Sequence, residues 1–249
     1  MSFFSKLFNK KQPDLNDLDL SVFKTDIHSH LIPGIDDGAQ NMDESIAMLA
    51  KFESLGYKKV VTTPHIMSDY FKNDSDIILN GLSELNAVKD KLNLNIEVEA
   101  AAEYYYDETL LDRLNKNEKL LTFGDNYVLF EFSFHTEPPE PEKLFFELLT
   151  KGYKPVLAHF ERYLFLKGNI DRVYKWREEG VNIQLNLNSI SGHYGPQIKQ
   201  QACALIDAGQ VDFAGTDCHR IEHLMLLEKN LKSPYLHKLA ALPLKNQEL

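Results

Sequence analysis

The sequence predicts an α/β fold in which a parallel sheet, covered by helices, curls into a barrel. Short apolar strands alternate with amphipathic helices in roughly seven units along the 249-residue chain, as is typical of parallel sheets. Hydrophobic residues make up 43% of the chain, enough for one substantial core. No glycine-rich phosphate-binding motif supports a nucleotide-binding doubly wound sheet. We therefore expect a distorted (β/α)7 TIM-like barrel over residues 21–249, preceded by a tail and linker at residues 1–20.

Each predicted unit carries its own sequence signals. The predicted strands are residues 23–28, 59–63, 95–101, 127–132, 155–158, 181–187 and 211–216. Apolar residues at helical spacing predict a helix after each of the first six strands. Asp43 or Asn41 is expected to cap the first helix, and Gly56 to end it. Ser75 is expected to cap the second helix, and Pro141 to begin the fourth.

Charge and cysteine content restrict the function and the compartment. The net charge is −10 and the pI is about 5.4, which argues against broad contact with a nucleic-acid backbone. Cys203 and Cys218 form no C-x-x-C motif, which favours a reducing cytoplasm. No apolar run is long enough to span a bilayer. Residues 1–8 do not fit a signal peptide and are expected to be a loosely packed tail, with an amphipathic membrane or partner contact as the alternative.

The most informative stretch is Asp26-Ile27-His28-Ser29-His30, at the end of the first predicted strand. Side chains alternate along a strand, so His28 and His30 point to the same side and can chelate one divalent ion. A turn containing glycine then returns Asp36 and Asp37 over the same strand end. A single pair of histidines is more often an ordinary loop feature, so the interpretation depends on the later strands.

Metal-ligand residue types recur at the carboxyl ends of nearly all the later strands. They are His65, Glu103, His135, His159, Asp217 and His219, whereas the sixth strand ends in Asn186, Asn188 and Ser189. Active sites of parallel barrels lie at this end, and buried imidazoles and carboxylates without partners would be costly. We therefore predict a cluster of divalent metal ions. Nitrogen and oxygen ligands suit Mn²⁺, Fe, Zn²⁺ or Co²⁺, and such clusters bind phosphate oxygens and activate water.

These motifs resemble the PHP superfamily of metal-dependent hydrolases, the polymerase and histidinol phosphatase group, over about residues 24–220. Within it, the chain is most similar to bacterial tyrosine-protein phosphatases of the capsular polysaccharide type. The matching segments are Asp26–Ala39, Thr63–His65, Ala102–Tyr105, Ala158–Tyr163 and Thr216–His219. They correspond to D-I-H-x-H-x-x-P-G-x-D-D-G-A, T-P-H, A-E-Y-Y, A-H-P-E-R-Y and S/T-D-x-H. In the fourth segment Phe160 stands where the family has proline.

The resemblance implies a site for three metal ions, with Mn²⁺ as the first expectation and Fe, Co²⁺ or Zn²⁺ as alternatives. It assigns the first ion to His28, His30, Glu103 and Asp217. Glu103 would also bridge to the second ion, which His135 and His159 complete. The third ion would be held by Asp36, His65 and His219, with Asp37 as a substitute for Asp36. Arg162 would bind the substrate phosphate through its planar guanidinium. The alternative for Arg162 is a surface salt bridge with Glu161.

The implied activity is metal-dependent hydrolysis of phosphotyrosine, with in-line attack by a metal-bridging hydroxide and with Glu103, Asp217 and Arg162 as catalytic residues. The implied substrate is the phosphorylated tyrosine-rich tail of a membrane-associated bacterial tyrosine kinase that controls exopolysaccharide assembly. Tyr104 and Tyr105 either stack on a substrate ring or pack in the barrel wall. A cysteine phosphatase is not supported, because neither cysteine is followed by the C-x-x-x-x-x-R loop.

Three other functions remain open from the sequence. Histidinol-phosphate phosphatase, or another PHP phosphoesterase, would share the fold and the metals and differ in its substrate. A nuclease or phosphodiesterase is disfavoured by the acidic composition. An inactive binding module is disfavoured by the complete set of candidate ligands. The oligomeric state is not indicated by any sequence feature.

Overall fold

The computed structural model describes residues 15–249 and contains nine strands in this range. The strands are β1 Thr25–Asp26, β2 Lys59–Thr62, β3 His65–Ile66, β4 Glu97–Ala100, β5 Glu103–Tyr105, β6 Tyr127–Glu131, β7 Lys154–Leu157, β8 Asn182–Asn186 and β9 Phe213–Gly215. They form a three-stranded sheet, in the order β1-β2-β4, and a six-stranded sheet, in the order β3-β5-β6-β7-β8-β9. Neighbouring strands pair in parallel throughout. The predicted α/β class with parallel strands is therefore confirmed.

The number of strands differs from the predicted seven because the second and third predicted strands are each followed by a further short strand. β2 ends at Thr62, and β3 begins after Pro64, which has no N–H to donate to a sheet. β4 ends at Ala100, and β5 begins after Ala101 and Ala102. The first predicted strand is shorter than expected, since residues Leu20–Phe23 form a 3₁₀ turn before β1. Both breaks lie next to candidate ligands, since β3 begins at His65 and β5 begins at Glu103.

Eight α-helices cover the sheets in the described part of the chain. They are α1 Met42–Ser54, α2 Ser75–Lys91, α3 Glu108–Asn115, α4 Pro141–Thr150, α5 Ile170–Glu178, α6 Pro196–Asp207, α7 Ile221–Lys229 and α8 Pro234–Ala240. Asn41 caps α1 and Pro141 begins α4, as predicted. The cap of α2 is Asp74, which accepts a hydrogen bond from the Ile77 amide, so the prediction of Ser75 is wrong. Helices α7 and α8 were not predicted, and none of the described helices has the length and apolarity to cross a membrane.

The buried apolar residues form two clusters. The larger one lies between the helices and the sheets and includes Leu20, which is 1% exposed. Part of the predicted linker therefore packs against the barrel, whereas residues 1–14, with the predicted tail, lie outside the described residues. The smaller cluster collects apolar residues from successive strands and strand ends, including Ile27, Val61, Leu129 and Phe213. Such a layer is typical of the interior of a barrel.

Asn246 joins the two ends of the strand series, β1 and β9. The side chain is fully buried, and its Nδ2 donates to the Thr25 carbonyl at 2.9 Å and to the Ala214 carbonyl at 2.7 Å. Its Oδ1 accepts from the Ala214 amide at 2.9 Å. One amide side chain therefore satisfies backbone groups of both strands.

We expect the Asn246→Ala substitution to lower the free energy of unfolding by about 2–4 kcal/mol, because it leaves three buried backbone groups without partners. Urea denaturation measures this effect. Gln247→Ala is the matched control, because the neighbouring Gln247 is exposed and donates only to the Val22 carbonyl. Equal midpoints for the two variants would contradict a role for Asn246 in joining β1 to β9.

Candidate active site

Imidazoles from three strand ends converge on the carboxylate of Glu103, which is 1% exposed. Glu103 Oε2 lies 3.1 Å from His28 Nε2 and 3.2 Å from His65 Nδ1. Glu103 Oε1 lies 2.9 Å from His159 Nε2. These contacts place Glu103 at the centre of the predicted cluster.

Within residues 15–249, four overlapping groups of side chains bring candidate ligand atoms within 4.8 Å of one another. They are His28, His30 and Glu103; His28, His159 and Asp217; His65, Glu103 and Glu131; and His30, Asp37, His65 and His219. Glu103 belongs to two groups, and so do three of the histidines. Shared ligands are what a compact cluster of several ions requires.

Hydrogen bonds on the far side of each ring fix how His28 and His30 face the cluster. His30 Nδ1 lies 2.8 Å from Asp36 Oδ2, and His28 Nδ1 lies 3.1 Å from Gln184 Oε1. Gln184 Oε1 also accepts from the His159 amide at 2.8 Å, which sets the orientation of the Gln184 amide. With a cation bound, both Nδ1 atoms would donate to these oxygens and both Nε2 atoms would present lone pairs to the ion, the arrangement found around metal-binding histidines.

The donor atoms fit divalent cations. His30 Nε2 and His65 Nδ1 are buried and lack hydrogen-bond partners among the described residues, so a bound ion would satisfy them. Burial lowers the pKa of His28 and of His65, but Glu103 and the neighbouring acidic groups outweigh it and raise each pKa to about 10. This concentration of negative charge favours cations, and nitrogen and oxygen donors without thiolates suit Mn²⁺, Fe, Co²⁺ or Zn²⁺.

The structure places Asp37, rather than Asp36, among the candidate ligands. Asp37 Oδ1 lies 3.3 Å from His219 Nε2 and 3.5 Å from His65 Nε2. Asp36 instead accepts from His30 Nδ1 and, through Oδ1, from the Gly38 amide at 2.9 Å. Burial raises the pKa of Asp36, but the His30 charge and hydrogen bond outweigh it and lower the value to about 2. Asp36 thus orients His30, and Asp37 rather than Asp36 belongs to a group of candidate ligands.

Glu131, rather than the predicted His135, belongs to a candidate metal group. His135 is exposed, four residues beyond the end of β6, and belongs to none of the four groups, although it lines the cleft. Glu131 is the last residue of β6 and is 6% exposed. Its two oxygens lie 3.3 Å from His65 Nδ1 and 3.5 Å from His159 Nε2. The sequence signal was a lone carboxylate at the end of an apolar strand.

Several of the candidate ligands lie on backbone with unusual φ angles, which sets the direction of their side chains. His159 and Asp217 both have left-handed backbone conformations, with φ of 34° and 51°, which are strained for residues other than glycine and concentrate at functional sites. Gly38 lets the turn of Asp36 and Asp37 pack on His30, because a Cβ at position 38 would lie 2.2 Å from the His30 carbonyl oxygen. The fold therefore imposes local strain to bring the ligands together.

Arg162 lies beside the cluster. Its NH1 donates to Asp217 Oδ2 at 3.0 Å, and its side chain is 22% exposed and lines the cleft. The alternative of a surface salt bridge with Glu161 is wrong, because Glu161 is fully buried and accepts from the Asn186 amide and from Ser189 Oγ. Phe160, which replaces the family proline, is buried and does not turn Arg162 away.

The two tyrosines predicted to contact substrate have different environments. Tyr104 is 1% exposed, and its hydroxyl accepts from the Leu121 amide at 2.8 Å. It packs in the barrel wall, so the prediction that it contacts substrate is wrong. Tyr105 is partly exposed and lines the cleft. The alternation of side chains along β5 explains the difference.

The contacts of the polar β8 side chains with candidate ligands were not predicted from the sequence. Gln184 Nε2 donates to Asn186 Oδ1 at 2.8 Å, and Asn186 Nδ2 donates to Asp217 Oδ2 at 2.7 Å. Together with the bond from His28 Nδ1 to Gln184, these contacts link two candidate ligands through buried amides. The available signal was the run of amide residues at positions 184, 186 and 188.

The cleft over the cluster has a volume of about 490 Å³. Its walls carry aromatic and cationic side chains, including Tyr105, Phe134, Arg162 and Tyr194. Cys218 lies outside this lining and is fully buried, and burial raises the pKa of its thiol well above the usual range. The structure thus gives no support to a thiolate nucleophile.

Comparison with known proteins gives consistent matches. The family model for capsular polysaccharide synthesis, CpsB/CapC, matches residues 24–231. The tyrosine-protein phosphatase YwqE of Bacillus subtilis is 33% identical over 236 residues, covering 90% of this chain and 92% of YwqE. The putative tyrosine-protein phosphatase CapC of Staphylococcus aureus is 30% identical over 209 residues, covering 83% of this chain and 81% of CapC.

Solved structures agree with these matches. One comes from work on YwqE from Bacillus subtilis and CpsB from Streptococcus pneumoniae, described as unique metal-dependent tyrosine phosphatases. It superposes with a TM-score of 0.74 at 30% identity and covers 89% of this chain and 94% of the other. An amidohydrolase from Mycoplasma synoviae has a TM-score of 0.51 at 14% identity, covers 93% of this chain and 85% of the other, and shares the fold alone.

Proposed function

This chain belongs to the CpsB/CapC family of capsular polysaccharide synthesis, and we propose that it is a metal-dependent protein-tyrosine phosphatase. One observation carries the proposal: buried imidazoles and carboxylates converge on Glu103, and the Arg162 guanidinium lies beside them. A cluster of cations next to an arginine is suited to a phosphate dianion. The names of the relatives support tyrosine phosphate as the substrate group.

We propose three metal ions, with Mn²⁺ as the first candidate. The first ion would be held by His28, His30, Glu103 and Asp217; the second by Glu103, Glu131 and His159; and the third by Asp37, His65 and His219. Bound divalent ions supply charge neutralisation of the phosphate oxygens and activation of water. Asp36 and Gln184 keep the ring nitrogens of His30 and His28 in the required tautomers.

Arg162 would bind a phosphate oxygen through the donors that Asp217 leaves free. Tyrosine titrates near pH ~10, so the departing phenolate is a tolerable leaving group. Tyr105, on the cleft wall, would contact the ring of the substrate. In this scheme Arg162 would position the phosphate and Tyr105 the phenyl ring, next to the residues that would hold the metal ions.

For the physiological substrate, we propose the phosphorylated tail of a membrane-associated bacterial tyrosine kinase that regulates exopolysaccharide synthesis. The family's role in capsular polysaccharide synthesis supports this proposal. A cytoplasmic location would give the enzyme access to such a tail. The thiols of Cys203 and Cys218, which are free in the structure, are compatible with that reducing compartment.

We expect chelation to abolish hydrolysis of a phosphotyrosine peptide, and Mn²⁺, Co²⁺ or Fe²⁺ to restore it, because the cluster depends on cations. Thiol alkylation should leave most of the activity, since Cys218 is buried. The assay compares phosphotyrosine peptide, phosphoserine peptide and histidinol phosphate on the same preparation. Full activity in protein shown to be metal-free would reject the proposal. Preference for histidinol phosphate would favour the related phosphatase instead.

A further inference from the structure

We propose that Phe134 and Tyr194 form an aromatic clamp around the guanidinium of Arg162, and that Tyr194 is a positioning residue for phosphate binding. The guanidinium carbon lies 4.2 Å from the centroid of the Phe134 ring and 4.4 Å from the centroid of the Tyr194 ring. Both distances are well inside the range of cation–π contacts. This inference rests on the proposed role of Arg162 in binding phosphate, and it explains what holds the Arg162 side chain in its orientation.

The clamp is assembled from three neighbouring strand ends. Phe134 follows β6, Arg162 follows β7 and Tyr194 lies in the segment between β8 and α6. In the six-stranded sheet β7 lies between β6 and β8. The two rings therefore reach Arg162 from the strands on either side of its own, and the sheet order determines the arrangement.

Stacking leaves the hydrogen-bond donors of Arg162 available. A guanidinium has five N–H donors around its edge, and aromatic contacts are made with its faces. NH1 donates to Asp217 Oδ2 at 3.0 Å. The other edge donors remain for a ligand in the cleft that Arg162 lines. The clamp thus restricts the side chain before substrate binds, which reduces the entropy lost on binding.

The segments that carry the rings are held by buried contacts. Glu161 Oε1 accepts from the Asn186 amide at 3.0 Å and from Ser189 Oγ at 2.5 Å, which fixes the start of the segment that leads to Tyr194. The Leu164 amide donates to the Phe134 carbonyl at 2.9 Å. The segments of both rings are therefore held to the segment that carries Arg162, through contacts that do not involve the Arg162 side chain.

Tyr194 offers a cleaner test than Phe134. The Phe134 ring centroid also lies 5.2 Å from that of His159, so removing it would disturb a candidate metal ligand. Among the described aromatic contacts, Tyr194 meets the ring of His193 and the guanidinium of Arg162. His193 belongs to none of the candidate metal groups. The Tyr194 side chain also contacts Asn186, which donates to Asp217 Oδ2. Tyr194→Ala therefore removes both the ring and the hydroxyl, whereas Tyr194→Phe removes the hydroxyl alone and isolates the effect of the ring on Arg162.

The experiment titrates inorganic phosphate into metal-loaded protein by calorimetry and measures kcat/KM on a phosphotyrosine peptide. We expect Tyr194→Ala to weaken phosphate binding and kcat/KM by roughly 3- to 30-fold. Tyr194→Phe should stay within about twofold of wild type, because it keeps the ring. Metal content should be equal in all preparations. Tyr174→Ala, on the remote helix α5, is the matched control and should change neither quantity.

A double-substitution cycle with Arg162→Ala decides the mechanism. If the clamp acts through Arg162, Tyr194→Ala causes no further loss of phosphate affinity once Arg162 is removed. Equal losses in both backgrounds, or a Tyr194→Phe variant as weak as Tyr194→Ala, would overturn the proposal. Phosphate titration does not require turnover. Wild-type protein that binds phosphate through Arg162 but fails to hydrolyse phosphotyrosine would reject the proposed function and leave the clamp intact.

Discussion

Replacing Glu103 with glutamine is expected to cause the largest loss of metal and of activity among single substitutions at this site. Glu103 is fully enclosed and belongs to two candidate metal groups, so two ions lose a charged ligand at once. We expect kcat/KM on a phosphotyrosine peptide to fall by roughly a thousandfold or more. Metal stoichiometry, measured by mass spectrometry on the same protein, should fall with it.

Asp37→Asn is the matched comparison for Glu103→Gln. Both changes replace a carboxylate by its amide, but Asp37 belongs to only one group. Its side chain is also 58% exposed, so water can replace the lost contact. Glu103→Gln should therefore remove more metal than Asp37→Asn does. Equal metal content in the two variants would show that Glu103 does not join two ions.

The sequence was informative wherever the carboxyl end of a strand determined the position of a side chain. His28, His30, His65 and Glu103 lie together because parallel strands end at the same edge of the barrel. That rule requires only the order and direction of the elements, which apolar patterning predicts. It does not require knowledge of loop conformation.

Asp36 and His135, the two predicted ligands that lie outside the candidate metal groups, are positions where loop geometry decides. Asp36 and Asp37 are adjacent, and which of them faces the ions depends on a turn that packs on His30 through Gly38. The choice between His135 and Glu131 depends on where β6 ends and on the exposed turn that follows it. The spacing of residues along the chain determines neither the conformation of this turn nor the residue at which β6 ends.

The contribution of β8 was missed for a different reason. Its amides do not belong to the residue types expected to bind metal, and their role depends on contacts between neighbouring strands. Gln184 meets both His28 and the His159 amide, and Asn186 meets Asp217. Helices α7 and α8 follow the last strand and lie outside the repeating strand–helix pattern that guided the prediction.

Arg162→Ala is expected to separate phosphate binding from metal binding. A guanidinium cannot ligate a cation, and Asp217 Oδ2 keeps its hydrogen bond from Asn186 Nδ2 at 2.7 Å. Metal content and folding should therefore be unchanged. Loss of a charge-assisted contact in the transition state costs on the order of 2–4 kcal/mol. The expected fall in kcat/KM on a phosphotyrosine peptide is roughly 30- to 1000-fold.

Two further variants show whether catalysis depends on the planar guanidinium of Arg162 at this position or on positive charge alone. Arg162→Lys should recover only part of the activity, because an ammonium keeps the charge and lacks the planar fork of donors. Arg172→Ala is the control, since Arg172 also stacks on an aromatic ring, that of Trp176 at 5.0 Å, but pairs with Glu137 rather than with a candidate ligand. It should retain wild-type kcat/KM. If Arg162→Ala retained it as well, the contact of Arg162 with Asp217 would be structural, and phosphate would be held by the metal ions alone.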